Sequence, residues 1–245
     1  IRNLYPYVEL IALRRIVGYA RANNYGIVKA LRRGAKYIVL MNNDIEIIDP
    51  FWLYKAIVVM EKYRDIGIVG VNLINLDGTS QQYPAFKEPV EVKELSFALA
   101  IIRANVFREI GFLDPGFVLG GSEDTDFCFR ARKCWYKLVY IPSIKVFHLR
   151  SATLKKFHAE TIHTLSARNY IRHTIKNYSI AELVKTYVLL TFITRKNGFA
   201  FRKDLFKRLK WLTRGFLKLA RDENMIRLLA ERIKTVRICN RNLRR

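Results

Sequence analysis

The chain has 245 residues, 51% of them hydrophobic and 27% charged. That is enough for one large domain or a core with an appendage, and it excludes a disordered chain, a collagen-like repeat and a disulfide scaffold. The 44 Lys and Arg against 21 Asp and Glu leave a net charge of +23, an excess that suits an anionic partner: nucleic acid, a membrane surface or phosphorylated small molecules.

Residues 8–13 form a short apolar run, 19–33 are compatible with a helix, and 37–41 are continuously apolar, as a strand buried on both faces should be. This predicts β-α-β. Asp49-Pro50 reads as a helix start, with Asp as N-cap and Pro at the first helical position, and 51–63 continue at helical spacing. Residues 66–74 predict a further strand and Asp77-Gly78 a hairpin-type turn. Residues 94–103 predict another strand leading into a short helix and a glycine-rich loop over 111–121. The acidic segment 123–126 opens a helix to about residue 135, and 138–147 supply a last strand. Alternation of this kind predicts an α/β three-layer domain.

Beyond residue 150 only helical periodicity is visible, over 158–178, 180–193, 199–222 and 225–238. Charge changes at the same place: residues 1–150 carry 21 basic and 15 acidic side chains (+6), residues 151–245 carry 23 and 6 (+17). We therefore expect a core over 1–150 and a basic amphipathic helical region over 151–245. In 201–212, aromatic and Leu side chains alternate with Lys and Arg at helical spacing. That pattern suits a membrane-surface helix or, equally, a helix packed on its own domain with a solvated basic face.

The longest apolar stretch, 183–193, is interrupted by Lys185 and falls short of the roughly 20 residues a spanning helix needs. Cys128, Cys134 and Cys239 form no CxxC pair and no zinc spacing, so reduced thiols in an intracellular protein are expected. The chain opens with Ile1, already inside a fold-like pattern, and an upstream segment is expected.

Asn42-Asn43-Asp44-Ile45-Glu46 follows the buried strand, at the carboxyl end where open α/β sheets place their ligand sites. In an extended segment Asp44 and Glu46 point the same way, and two carboxylates can hold a hard divalent cation. An isolated D-x-E more often merely turns the chain. Gly120-Gly121-Ser122-Glu123-Asp124-Thr125-Asp126 offers a flexible loop, a Ser N-cap and an acidic first turn, in which Asp124 is kept ionised by the helix terminus and is a candidate general base. Asp126 and Arg130, four apart, are expected to brace that helix for a few tenths of a kcal/mol. His148, at the end of the last strand, is a secondary candidate for metal or phosphate contact. His158, His163 and His173 are assigned no role.

These pieces, in this order, resemble the inverting family 2 glycosyltransferases of GT-A fold, within them the rhamnosyltransferase-like branch. Gly18-Tyr19-Ala20 with Asn24-Tyr25-Gly26-Ile27 and Ala30 resembles the family's N-x-G-[FY]-A…N-x-G-I…A segment. Asn42-Asn43-Asp44-Ile45-Glu46 resembles its D-x-D-type metal motif, and Asp49-Pro50-Phe51-Trp52-Leu53 the helix start that comes after it. Gly111-Phe112-Leu113-Asp114 resembles its acceptor-side loop, and Glu123-Asp124-Thr125-Asp126-Phe127 with Arg130 its E-D-x-D-[LF]-x-x-R motif. Ile141-Pro142 through His148 matches the family's strand with a terminal histidine. The resemblance covers about residues 7–150.

The resemblance implies a sugar transfer from a nucleotide-diphosphate sugar to a hydroxyl of a glycan or lipid-linked glycan acceptor, in one inverting step. It implies Mg²⁺ or Mn²⁺ held by Asp44, Glu46 and His148, and donor contacts from Gly18, Asn24, Asn43 and Asp44. Asp124 would be the base, with Asp114 and Glu123 on the acceptor side. The chain departs from the family in lacking the first strand with its D-x-S-type segment, so a βαβ-sized unit of roughly thirty residues is expected upstream. Ile16-Val17 also stand before Gly18 where the family has Asn, and Glu46 replaces the second Asp. The expected location is cytoplasmic, with the basic region against an anionic inner leaflet, where each Lys or Arg contributes about 1 kcal/mol. No specific nucleic acid is expected. The rival readings are a basic nucleic-acid- or membrane-binding module and an inactive transferase fragment.

Overall fold

The computed structural model describes residues 3–118, 121–149, 159–179, 181–182, 210 and 213–222. Helix α1 (Tyr19–Arg32) leads to β1 (Tyr37–Met41) and the short β2 (Ile45–Ile47). Next come α2 (Trp52–Lys62), β3 (Ile66–Ile74), β4 (Val90–Glu91) and β5 (Leu99–Arg103). Helices α3 (Ala104–Ile110) and α4 (Glu123–Lys133), the long β6 (Lys137–His148) and α5 (Ala159–Asn177) complete the order.

The strands form one mixed sheet in the order β1-β5-β3-β6-β2, with β4 also on β6. Among the described strands only β3 and β6 run parallel; β5 is inserted antiparallel between β1 and β3, and β2 and β4 run antiparallel to β6. Period-two alternation divides the strand residues between two cores. Ile38, Leu40, Ile68, Ala100, Ile102, Leu138 and Tyr140 pack with residues of α1, α3 and α4 on one face. Val69, Val71, Leu99, Ile101, Val139 and Ile141 pack with Ala56 and Met60 of α2 on the other. All nine residues of β3 are buried. The result is the expected three-layer α/β arrangement.

Residues 8–13, expected as a strand, form none, and their Val8, Leu10, Ile11 and Leu13 are exposed. An apolar run becomes a strand only where it finds a partner edge, and these residues have none among the described ones. Asp49 is not the N-cap but stands two residues before it: its Oδ1 accepts from the Phe51 N–H (2.9 Å), its carbonyl accepts from the Trp52 N–H (3.1 Å), and the helix begins at Trp52 with Phe51 as N-cap. Ser122 is not a side-chain N-cap; it lies in the left-handed region at φ 71° and its hydroxyl makes no capping bond. Cys128 is a buried free thiol, whereas Cys134 is disulfide-bonded, which corrects the expectation of reduced thiols.

Beyond the charge step at residue 150, the described residues include one long helix. Helix α5 packs along α4 through a polar face in which Arg168, Asn169, Arg172, His173 and Lys176 are all buried. Residues 213–222 are helical, and Gly215 lies so close to Ala167 and Arg168 that a Cβ there would stand 2.6 Å from the Arg168 backbone nitrogen. Of the helix expected over 180–193 only Ala181 and Glu182 are described, and both are helical; the helix expected over 225–238, and the amphipathic pattern over 201–212 apart from Lys210, lie outside the described residues. Among the described residues no helix is long and apolar enough to cross a membrane.

Candidate active site

A cavity of about 900 Å³ opens at the carboxyl end of β1, between the start of α1, the start of α4 and α5. Its polar side is built by three elements. Asn42, Asn43 and Asp44 come from the turn after β1, His148 from the end of β6, and Glu123 and Asp124 from the first turn of α4. Gly18 and Tyr19 at the head of α1 close it from one side, and Ile162, Leu165 and Ser166 of α5 from the other.

Asp44 and His148 meet because β2 pairs with β6. The register sets Ile45 opposite His148, and the Leu149 N–H donates to the Asp44 carbonyl (3.1 Å). The Asp44 Oδ1 then lies 3.4 Å from the His148 Nε2. This oxygen is buried and accepts no hydrogen bond, a costly condition for a carboxylate that an ion or a ligand donor would relieve. A carboxylate oxygen and an imidazole nitrogen at this spacing fit a divalent cation that takes its remaining ligands from a diphosphate and water. The described residues contain no group of three or more His, Cys, Asp or Glu set to hold a metal.

Glu46 does not join them. Asp44 sits in a turn, not in an extended segment, so the period-two argument fails; Glu46 lies on β2, opposite Phe147, exposed and away from the cavity lining. Asn24 is likewise spent elsewhere: its amide donates to the Leu113 carbonyl (2.8 Å) and accepts from the Leu113 N–H (3.1 Å), tying α1 to the loop after α3. Its neighbour Asn23 lines the cavity instead.

Asp114, expected on the acceptor side, is consumed by α5. Its carboxylate accepts from the Arg172 Nε (3.1 Å) and NH2 (2.9 Å) and from the Lys176 Nζ. Burial works against its charge, but Lys176 and Arg172 outweigh it and hold the carboxyl below its usual value. Asp126 pairs with Arg130 as expected (2.9 Å), but in full burial and with further bonds. Asn177 donates to it (2.8 Å), and Arg130 also donates to the Ile110 and Phe112 carbonyls (2.8 and 2.9 Å). Desolvation opposes its charge, yet Arg130, Lys176 and Asn177 hold its carboxyl far below the carboxylate range.

Glu123 and Asp124 face the cavity side by side. The Glu123 Oε2 is buried and unbonded, and burial, followed by the neighbouring Asp124 charge, pushes its pKa to about 7. Burial also raises the Asp124 carboxyl, opposed by the N–H groups of Thr125 and Phe97. The helix terminus was expected to keep Asp124 ionised; desolvation outweighs it here.

Sequence reasoning missed Gln81. It lines the cavity, its Oε1 lies 2.9 Å from the His148 Nδ1 and its Nε2 donates to the His148 carbonyl (2.9 Å). Its only signal was its place just past the Asp77-Gly78 turn, on the arm returning beside β3.

No family model matches the chain. An uncharacterized protein, y4gI, of Sinorhizobium fredii strain NBRC 101917 / NGR234 is 23% identical over an alignment of 171 residues that covers 60% of this chain and 18% of that protein. GalNAc-T7, solved with UDP, GalNAc and Mn²⁺, superposes with a TM-score of 0.57 at 18% identity, over 82% of this chain and 45% of its own. The mannosyltransferase PcManGT of Pyrobaculum calidifontis, solved with GDP-Man and Mn²⁺, gives 0.52 at 13% identity, over 88% and 70%. S. aureus TarS 1–349 in complex with UDP gives 0.53 at 13% identity, over 99% and 77%. The fold is GT-A-like, and the chain spans less than half the length of y4gI and of GalNAc-T7.

Proposed function

We propose that the chain is the catalytic part of an inverting glycosyltransferase that moves a sugar from a nucleotide-diphosphate sugar to an acceptor hydroxyl on a glycan or lipid-linked glycan. The observation that carries this is the convergence in one cavity of a carboxylate–imidazole pair, Asp44 and His148, with a pair of elevated carboxyls, Glu123 and Asp124. The first pair suits the phosphate end of a donor and the second an acceptor hydroxyl. The family 2, rhamnosyltransferase-like assignment rests on the motif order in the sequence.

Asp44 and His148 would hold Mg²⁺ or Mn²⁺, which when bound neutralises charge on the departing diphosphate. Gly18 and Asn43 flank the donor from the head of α1 and the turn after β1. Asp124 accepts the acceptor's proton as the oxygen attacks the anomeric carbon from the face opposite the leaving group. A base whose pKa is raised toward the working pH is well matched to that task. Glu123, beside it, accepts a hydrogen bond from the acceptor or, when protonated, donates one. Ile162 and Leu165 of α5 supply an apolar wall on that side.

Titrating UDP, GDP and dTDP with and without Mn²⁺, beside an Asp44→Ala control, tests the donor half. Metal-dependent binding of one nucleotide that the control loses is expected; metal-independent binding, or none, would overturn the reading. In the same protein Asp124→Asn should lower transfer by about 10²- to 10⁴-fold while nucleotide affinity stays within about twofold.

A further inference from the structure

We infer that Gln81 is a positioning residue for the cation site, the last link of a polar relay that begins at the surface turn after β3 and fixes which nitrogen of His148 faces Asp44. The inference rests on the donor-site reading of Asp44 and His148 and assigns a role to residues that no motif marks.

The relay's direction is set by its ends. The Asp77 carboxylate can only accept, so the Thr79 hydroxyl donates to its Oδ1 (2.6 Å), beside the Thr79 N–H (2.9 Å). With its proton spent, the Thr79 oxygen accepts from the Asn75 Nδ2 (2.9 Å). Asn75 therefore turns its Oδ1 outward, where it accepts from the Gln81 Nε2 (2.9 Å). The other hydrogen of that Nε2 goes to the His148 carbonyl (2.9 Å), a group that can only accept. Both ends thus agree on the orientation of the Gln81 amide: nitrogen to Asn75 and the carbonyl, oxygen to the ring.

The Oε1 of Gln81, 2.9 Å from Nδ1, has no proton to give, so Nδ1 carries the hydrogen and donates it. In the neutral ring that leaves the lone pair on Nε2, 3.4 Å from the unbonded Asp44 Oδ1. Two lone-pair atoms facing each other at that distance, one of them on a carboxylate, repel unless a positive charge lies between or beside them. A ring held in one tautomer by an outer partner, with its other nitrogen presented beside a carboxylate, is the arrangement that favours a divalent cation. The backbone supports the same geometry: the Gln81 N–H donates to the Leu73 carbonyl (2.8 Å), and the Asn75 N–H to the Thr79 carbonyl (2.9 Å), so the turn is closed by main-chain bonds before its side chains engage.

The test is Mn²⁺ binding by the full chain, monitored by electron paramagnetic resonance in the presence of saturating UDP or GDP, for wild type, Asp44→Ala, Gln81→Leu and Gln81→Glu. Long-range ¹⁵N–¹H correlation spectra of the metal-free proteins report the His148 tautomer independently. Gln81→Leu should weaken Mn²⁺ by about 10- to 100-fold and release the ring from the Nδ1–H form. Gln81→Glu keeps an acceptor for that proton but sets its second oxygen against the Asn75 Oδ1 and the His148 carbonyl, both acceptors, so it should retain the Nδ1–H tautomer while lowering the Tm, a split that a purely structural role for the amide would not predict. Thr79→Val, at an exposed position, removes the relay's source without touching the cavity and should also loosen the tautomer, so the inference stays testable if Gln81→Leu does not fold. Wild-type affinity and tautomer in Gln81→Leu, with binding lost in Asp44→Ala, would overturn the role of Gln81 and leave the cation site standing. No Mn²⁺ binding by wild type, or undiminished binding in Asp44→Ala, would overturn the donor-site reading and the relay's role together.

Discussion

Glu123 and Asp124 are adjacent in sequence and both open onto the cavity, yet only the structure says what their carboxyls do. Glu123 is 6% exposed and its pKa rises from 4.5 to about 7. Its protonated form therefore favours the fold: the contribution is complete below about pH 4.5 and is lost as pH rises through about 7. Across that window the penalty for ionising it builds to the order of 3 kcal/mol. Glu123→Gln should remove it, so the Tm difference between variant and wild type should grow from pH 5 to pH 8; parallel curves would show that the site solvates the charge. Asp126 runs the other way, with a lowered value whose stabilisation is present above about 3.8 and lost on acidification. Its pair with Arg130, read from i,i+4 spacing as worth a few tenths of a kcal/mol, is buried at 0% and 6% exposure. Arg130→Met would leave Asp126 charged and short of its main partner, at a cost of about 3 to 5 kcal/mol in urea unfolding. Spacing predicted the contact correctly; its weight depends on burial, which one helix's sequence does not state.

The element whose reading changes most is α5. Periodicity found it over 158–178, and its observed span is Ala159–Asn177, but its face toward the core is polar. Arg168, Arg172 and Lys176 recur every four residues, as do Asn169, His173 and Asn177. A stripe of this kind looks like a solvated face unless opposing acids are known. Asp114 and Asp126 are those acids, and Asn169 straps the glycine-rich loop by accepting from the Val118 N–H (3.2 Å) and donating to the Val118 and Gly121 carbonyls (3.0 and 3.1 Å). Gly116 is where loop and helix press closest: a Cβ there would lie 2.2 Å from the Arg172 Cζ. Gly116→Ala should displace the Arg172 guanidinium from Asp114 and destabilise the protein by about 1 to 3 kcal/mol. A thermal melt that matches wild type would mean that the loop yields without loss of the ion pair. The short strands β2 and β4, of three and two residues, escaped notice for the opposite reason: each is held by pairing with β6, not by a pattern of its own.

At the scale of the whole molecule, β1, β3, β5 and β6 were legible because buried strands are apolar runs, whereas their order was not. Nothing local announces that β5 inserts between β1 and β3, since that pairing joins Leu99–Arg103 to Tyr37–Met41 and to Ile68–Gly70, segments far apart in the chain. Net charge is misleading in the same way. Of the +17 carried by residues 151–245, Arg168, Arg172 and Lys176 are committed to Asp222, Asp114 and Asp126 inside the fold and are not offered to an anionic surface. If the basic region meets a membrane, the cations must come from elsewhere in it, and Arg202, Lys203, Lys207 and Arg208 are the densest set beside aromatic and Leu residues. Neutralising these four to Gln should lower partitioning onto vesicles with anionic lipid by two to three orders of magnitude, at about 1 kcal/mol per charge. The same count removed from Arg14, Arg15, Arg32 and Arg33 should matter far less, because charges beyond about 8 Å of the surface are screened at physiological salt. Equal losses in both sets would assign the binding to net charge alone, and no partitioning by wild type would remove the membrane from the proposal while leaving the transferase site untouched.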